Sequence, residues 1–149
     1  MSEIAFIPRV PRLHDDAARI IRAVTTCYGP QFEYGFRAEW DHAAHVIHSP
    51  VFFVRGNRRG VMLHARGMRA GSMLVHTHPV TSPTEPSDAD LQVAESFVWA
   101  GLGFAVTNSM ASELFVVTLP ECVEPASRSS SWRLGRLSLT WAPASARTR

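Results

Sequence analysis

Two histidines that lie two positions apart are the residues whose types and spacing most clearly could do chemistry. His76 and His78 end the segment SMLVHTH, residues 72–78, whose composition predicts a β-strand. Residues two apart on a strand point to the same face, so both imidazoles would be directed to one point. Because a neutral imidazole is a good zinc ligand, this pair is a candidate half of a metal site.

Asp90 can supply a carboxylate to the same site. A proline-rich loop from Pro79 to Pro86 leads to Ser87, the expected N-cap of a helix, and Asp90 follows three residues later, in the first turn. Its side chain could therefore turn back toward the end of the histidine strand. Three protein ligands with a fourth position left to water is the pattern of a catalytic zinc, whereas structural sites are closed.

Each half of this pattern also has a simpler explanation. A His-x-His pair on a strand is often only surface histidine. Ser-x-x-Asp before an apolar run resembles a capping box, which is a local device for starting a helix. The two halves together, on a strand, loop and helix with proline on both sides, favour a metal site.

Residues 76–91, HTHPVTSPTEPSDADL, resemble the JAMM or MPN-plus zinc metalloproteases, in particular their prokaryotic branch, and the related RadC-type segments. The family pattern is a glutamate, then His-x-His-Pro, a short loop and Pro-Ser-x-x-Asp. One departure is that eight residues separate His78 from Ser87, where the family usually has seven. The resemblance is specific over this segment, diffuse from the first helix to about residue 119, and absent beyond.

The resemblance implies one zinc ion per chain, bound by His76, His78 and Asp90. It also implies that Ser87 helps to stabilise an oxyanion near the metal. A zinc ion in such a site lowers the pKa of its water toward neutrality and polarises the scissile carbonyl.

A glutamate outside the ligand set would take the proton from the attacking water and pass it to the leaving amine. Glu33, in the sequence Glu33-Tyr34-Gly35, has the position and form of the family's glutamate, 43 residues before His76. Glu39 is the alternative, because strand alternation places it on the same face of the same predicted strand.

The implied activity is hydrolysis of a peptide or isopeptide bond in a protein or peptide substrate, such as a ubiquitin-like modifier. The arginine-rich segment 55–69 could contact an acidic surface of such a modifier. Two alternatives remain: an inactive MPN-type binding or scaffold module, and a RadC-like DNA-associated or toxin-type JAB domain. The scaffold alternative gains if neither Glu33 nor Glu39 reaches the metal.

Composition limits the classes of partner and the compartment. The net charge is only +2, which gives no support for nucleic acid as a partner. All 15 basic residues are arginine, and this excludes a catalytic lysine. No apolar run approaches the roughly 20 residues that a membrane span requires. The first residues lack the basic start and the unbroken apolar stretch of a secretory signal, so we expect a cytoplasmic protein with no membrane partner.

The elements that must position these residues alternate between strands and helices. We expect an α/β (α+β) fold, with one domain over residues 1–142, a mixed β-sheet flanked by helices, and a disordered tail at 143–149. The resemblance adds a JAB/MPN-like, cytidine-deaminase-like architecture. The expected helices are 15–27 and 88–101, and the expected strands are 3–7, 31–40, 51–54, 61–64, 72–78, 104–107, 113–119 and 132–141.

Overall fold

An eight-stranded mixed β-sheet forms the frame of the part of the chain that the computed structural model describes, residues 10–118, 131–134 and 137–143. In chain order its elements are β1 (Arg12–Leu13), α1 (Asp15–Tyr28), β2 (Tyr34–Asp41), β3 (Val46–Arg55), β4 (Ser72–His78), α2 (Asp88–Trp99), β5 (Gly103–Asn108), β6 (Glu113–Thr118), β7 (Ser131–Leu134) and β8 (Leu137–Pro143). The expected mixed sheet with two helices is therefore confirmed.

The strand order across the sheet is β1-β3-β2-β4-β5-β6-β8-β7. β4 lies at the centre, antiparallel to β2 and parallel to β5. Parallel neighbours require a crossover connection, and α2 provides it. The carboxyl end of β4 and the beginning of α2 are therefore close together, and this is the edge where ligands bind in many sheets with parallel strands.

The two faces of β4 contribute to two different hydrophobic cores. Met73 and Val75 pack with the buried side of α1, whereas Leu74 packs with the buried side of α2. Because side chains alternate along a strand, His76 and His78 are on the same face as Leu74. The sequence pattern of β4 thus directs both histidines toward the helix that carries Asp90.

Each helix begins at a residue whose side chain caps its first turn. His14 caps α1 by accepting the backbone N–H of Asp16, and α1 ends at Gly29, whose φ of 108° favours glycine. Ser87 caps α2, and together with Asp90 it forms a complete capping box. Neither helix is long and apolar enough to cross a membrane.

Of the two strands expected at 51–54 and 61–64, only the first is found. The first run belongs to β3, which begins at Val46 and pairs with β2, and the second run is not a strand. Pro50 obscured β3 in the sequence, since proline is tolerated in a strand mainly at bulges and edges. The register with β2 shifts at this point, and Ser49 has a φ of 51°. Leu63, in the second run, packs against the α2 core from an irregular segment, so its apolar character reflects burial and not strand pairing.

Other expected boundaries also change. The predicted strand over 31–40 begins only at Tyr34, and the predicted helix over 88–101 ends at Trp99. The single last strand expected over 132–141 is two strands, β7 and β8. The predicted strand at 3–7 and almost all of the expected tail lie outside the described residues, although Pro143 is part of β8.

His42, His45 and His48 recur at three-residue steps but do not lie on a helix. His42 and His45 lie in the turn between β2 and β3, and His45 has a φ of 55°. His48 lies on β3. Three-residue spacing was compatible with a helix, but it equally fits a turn followed by a strand.

Candidate metal centre

His76 is held at the carboxyl end of β4 with its side chain almost fully buried. Its neighbours on the strands at either side are Gly35 and Val106, and its ring lies 4.7 Å from that of His78, centroid to centroid. Burial lowers the pKa of His76 to about 4 because a charged imidazolium would be poorly solvated there. The imidazole is therefore neutral at physiological pH, as a metal ligand must be.

His78 has one ring nitrogen held by the protein and the other directed into the site. Nδ1 lies 2.7 Å from the carbonyl oxygen of Pro83, which can only accept, so Nδ1 carries the proton in that hydrogen bond. This leaves Nε2 with its lone pair for a metal, which is the arrangement that outer hydrogen bonds usually give to metal-binding histidines. Sequence reasoning missed the Pro83 contribution, and a backbone carbonyl carries no sequence signal.

Asp90 contacts both histidines. Its Oδ2 lies 2.9 Å from Nε2 of His78, and its Oδ1 lies 3.2 Å from Nε2 of His76. Two ligand atoms around a tetrahedral zinc ion, with bonds of about 2.0–2.1 Å, would be about 3.3 Å apart. The two separations between Asp90 and the histidines, each made by a different carboxylate oxygen, are close to this value.

The ionisation of Asp90 and His78 is linked by their hydrogen bond. Burial alone would raise the pKa of Asp90, but the hydrogen bond with His78, the electrostatic interactions with both histidines and the N–H of Ser87 lower it overall. Burial alone would lower the pKa of His78, but the hydrogen bonds to Asp90 and Pro83 raise it overall. In the absence of a metal, the pair therefore favours aspartate with imidazolium.

Glu33 lies directly before β2 and is buried beside the histidines. Its Oε2 is 3.7 Å from Nδ1 of His76. The backbone N–H of Tyr34 donates to Oγ1 of Thr77 at 3.1 Å, which fixes the start of β2 against the end of β4. Burial raises the pKa of Glu33 to about 7, with smaller opposing contributions from the charges of His78 and Asp90.

Gly35 allows the chain to close over this side of the site. It pairs with His76 across the sheet, and a Cβ atom added there would come within 2.8 Å of Cδ2 of Leu63 and 2.9 Å of Cγ1 of Val54. Any larger residue would displace the segment that covers the face on which Glu33 lies. The Glu-x-Gly form noted in the sequence thus has a packing reason.

The structure separates the two glutamates that the sequence left as alternatives. Glu39 pairs with Ser72, at the opposite end of β4, and four residues from His76 correspond to about 13 Å along a strand. Its side chain is exposed, and its carboxylate lies 3.8 Å from both His48 and Arg69. Glu33 reaches the cluster and Glu39 does not.

Ser87 is beside the cluster at the beginning of α2. Its Oγ accepts the N–H of Asp90 at 3.1 Å, and its own N–H donates to Oδ2 of Asp90 at 2.9 Å. The acceptor capacity of the hydroxyl is used in this cap, whereas its hydrogen can be donated to a ligand. Ser87 also lines a cleft of about 490 Å³ that includes Glu33 and His78.

The residues present fit a metal ion. Glu33, His76 and His78 form a buried group whose candidate ligand atoms all lie within 4.8 Å of one another. Within the described residues, both ring nitrogens of His76 and Oε2 of Glu33 are buried without a hydrogen-bond partner, a state that native structures rarely leave unexplained. This group includes Glu33 and does not include Asp90, although the carboxylate of Asp90 lies 2.9 Å from Nε2 of His78 and 3.2 Å from Nε2 of His76.

The cleft also includes two arginines that the sequence reading did not connect with the histidines. Arg58 and Arg59 belong to the arginine-rich segment 55–69, but only the fold shows that they lie next to Glu33 and His78. A sequence signal was present in the Gly-Asn and Arg-Gly pairs around them, which predict a tight loop but not its position.

No family model, curated protein or solved structure matches this chain.

Proposed function

We propose that this protein is a zinc-dependent metallopeptidase of the JAMM type that hydrolyses a peptide or isopeptide bond. The observation that carries the proposal is the convergence of His76, His78 and Asp90 with Glu33 in one cluster, of which Glu33 and His78 line a cleft. The His-x-His-Pro and Pro-Ser-x-x-Asp segments give the same assignment of roles. A JAB/MPN-like, cytidine-deaminase-like architecture is part of the proposal, and a central sheet with helices on both faces is compatible with it.

Zinc is the metal that this ligand set favours. Two imidazoles and one carboxylate are ligands that zinc accepts in catalytic sites, where the fourth position is kept for water. When bound, one zinc ion per chain would lower the pKa of a coordinated water to about 7 and polarise the scissile carbonyl. His78, fixed by the carbonyl of Pro83, and Asp90, fixed by the N–H of Ser87, would hold their ligand atoms in place.

Glu33 is the proposed general base. A carboxylate whose pKa is about 7 can accept a proton near neutral pH and return it to the leaving amine. Its position between the buried histidines and the open cleft lets it face both the ion and the substrate. Because Glu33 does reach the cluster, the condition that would favour an inactive scaffold is not met.

Ser87 is the proposed oxyanion donor. Its hydroxyl oxygen is fixed by the N–H of Asp90, so the hydrogen can be presented to the cleft without further ordering of the side chain. A hydrogen-bond donor that is already in position stabilises a developing negative charge more than a donor that must first be oriented. A ubiquitin-like modifier attached through an isopeptide bond is the proposed substrate, and the cytoplasm is the proposed compartment.

Metal analysis combined with a cleavage assay tests the proposal. The purified full chain should contain about one zinc ion, and a His76→Ala/His78→Ala variant should contain none. The wild type should cleave members of a panel of linear and isopeptide-linked modifier fusions, and Glu33→Gln should be at least 100-fold slower while keeping its zinc. A folded native protein that takes up no zinc would contradict the catalytic assignment. Cleavage unchanged in Glu33→Gln would remove the base role from Glu33.

A further inference from the structure

Two arginines that have no acidic partner in the described part of the chain lie on the wall of the proposed catalytic cleft. Arg58 and Arg59 line the same cleft as Glu33 and His78, and both side chains are exposed. In residues 10–118, 131–134 and 137–143, the ion pairs of arginine with a carboxylate are those of Arg19 and Arg69. No carboxylate of these described residues is paired with the guanidinium groups of Arg58 and Arg59, so both groups can bind an added anion.

The loop that carries these arginines has an ordered backbone. Oδ1 of Asn57 accepts the N–H groups of Arg59 at 2.8 Å and Gly60 at 3.0 Å, and the N–H of Asn57 donates to the carbonyl of Gly60 at 2.9 Å. Gly56 is needed for this close approach, because an added Cβ would be 2.1 Å from the same carbonyl oxygen. The Cα positions of both arginines are thus fixed by a short, hydrogen-bonded turn.

This loop is also joined directly to the backbone of the proposed base. The N–H of Glu33 donates to the carbonyl of Asn57 at 2.9 Å, and the N–H of Gly56 donates to the carbonyl of Glu33 at 2.8 Å. The backbone of the loop that carries the two arginines is consequently fixed against the backbone of Glu33. An anion bound by them would lie next to the bond that the site acts on.

A carboxylate is the anion that best fits this arrangement. Guanidinium groups bind carboxylates through two parallel hydrogen bonds, which gives geometric selection as well as attraction. Glu85 is exposed on the same cleft wall and carries one negative charge, so the two arginines leave that wall with an excess of positive charge. Peptides offer carboxylates from two sources, an aspartate or glutamate side chain and the chain's own C-terminus.

We propose that Arg58 and Arg59 select substrates that carry a carboxylate next to the scissile bond. This inference rests on the proposed peptidase function, since it identifies the substrate class of that site. Binding and cleavage can nevertheless be measured separately, so a failure of either proposal can be recognised.

The binding test uses three short probes that differ only in their carboxylates. N-acetyl-Gly-Asp amide carries a side-chain carboxylate, N-acetyl-Gly-Gly carries a C-terminal one, and N-acetyl-Gly-Gly amide carries none. Titration into the full chain, with and without zinc and followed by NMR, should show that at least one acidic probe binds more tightly than the amide. Arg58→Gln and Arg59→Gln should each weaken that binding about fivefold, as expected for an exposed charge pair.

Arg69→Gln is the matched control, because it removes the same charge from the region of Glu39 at the other end of β4. It should leave the affinity unchanged. Equal affinity for all three probes, or affinity unaffected by both Arg58→Gln and Arg59→Gln, would overturn the inference.

The cleavage test compares matched substrates with aspartate or asparagine within two residues of the bond. Arg58→Gln should lower kcat/KM about fivefold for the aspartate substrate and leave the asparagine substrate unchanged. Cleavage without any preference for aspartate or a free C-terminus would contradict the inference while supporting the peptidase. Carboxylate binding that depends on Arg58, in a protein that cleaves nothing, would support the binding site and contradict the peptidase.

Discussion

Oδ2 of Asp90 lies 2.9 Å from Nε2 of His78. The same oxygen accepts the N–H of Ser87, so one carboxylate both completes the cap of α2 and faces the proposed metal. The capping box and the metal site, which the sequence offered as alternative explanations, are therefore compatible uses of one side chain. A helix start of this kind holds the carboxylate in place before any metal arrives.

Replacing Asp90 by asparagine should separate these two uses. The amide oxygen of Asp90→Asn can still accept the N–H of Ser87, so the cap of α2 should be kept. The charged hydrogen bond to His78 is lost, so the metal-free protein should lose about 1–3 kcal/mol in the free energy of unfolding. Zinc affinity should fall about 100-fold, because the site loses an anionic ligand. Competition titration with a zinc chelator measures the affinity. Asp88→Asn, in the same exposed turn, is the control and should bind zinc as the wild type does.

Zinc binding should release protons. The metal-free site keeps a proton on Glu33, whose pKa is about 7, and favours a protonated His78, whereas His76, with a pKa of about 4, is already neutral. At pH 6, binding should therefore release about two protons, and zinc affinity should rise as the pH increases from 5 to 7. Calorimetry in two buffers with different protonation enthalpies counts the protons. Glu33→Gln should release about one fewer, and an unchanged count would mean that Glu33 is not near the ion.

Glu33→Gln should stabilise the metal-free protein above neutral pH. The folded-state pKa of Glu33 is raised from 4.5 to about 7, so its stabilising contribution is complete below pH 4.5 and is lost as the pH rises through 7. At pH 8 the variant should gain about 1–3 kcal/mol in the free energy of unfolding, because a neutral amide replaces a buried charge. Urea unfolding at pH 5 and pH 8 measures this. The exposed Glu39→Gln should show no such gain, and a loss of stability at pH 8 in Glu33→Gln would refute the prediction.

Ser87 should contribute to both stability and rate, and two substitutions distinguish these contributions. Ser87→Ala should cost about 1 kcal/mol in the free energy of unfolding through loss of the helix cap. Ser87→Asp keeps an acceptor for the N–H of Asp90 but has no hydrogen to donate, so it should retain the stability while kcat falls about 100- to 1000-fold. Ser87→Thr keeps the hydroxyl and should be closest to the wild type. Full activity in Ser87→Asp would exclude an oxyanion role.

The sequence could predict the local parts of this site because they depend on local geometry. Alternation on a strand placed His76 and His78 on one face, and capping rules placed Ser87 and Asp90 in the first turn of α2. The contact between Glu33 and His76 could not be derived in the same way, since it depends on the register of β2 with β4. Only the form of the motif favours Glu33 over Glu39 in the sequence. The register of β2 with β4 explains why Glu33 reaches the histidines and Glu39 does not.

The predicted strands differ from the observed ones where a buried apolar residue is not part of a strand, or where a strand is irregular. Leu63 is packed against a core without belonging to a strand, so an apolar run was mistaken for one. β3 was only partly recognised, because Pro50 and the irregular register near it interrupt the usual pattern of a strand. Arg58 and Arg59 lie shortly after β3, in the same region. Their position at the cleft could not be predicted from the sequence, because it depends on how the whole chain folds.

The proposed ligands and the proposed base differ in how far apart they lie along the chain. His76, His78 and Asp90 lie within a span of 15 residues, whereas Glu33 precedes them by more than 40. An incompletely folded chain could therefore already capture zinc, since the intervening loop is short, but it would have no base beside the ion until β2 had paired with β4. Metal affinity would therefore depend on one short segment of the chain, whereas the position of the proposed base would depend on the pairing of β2 with β4.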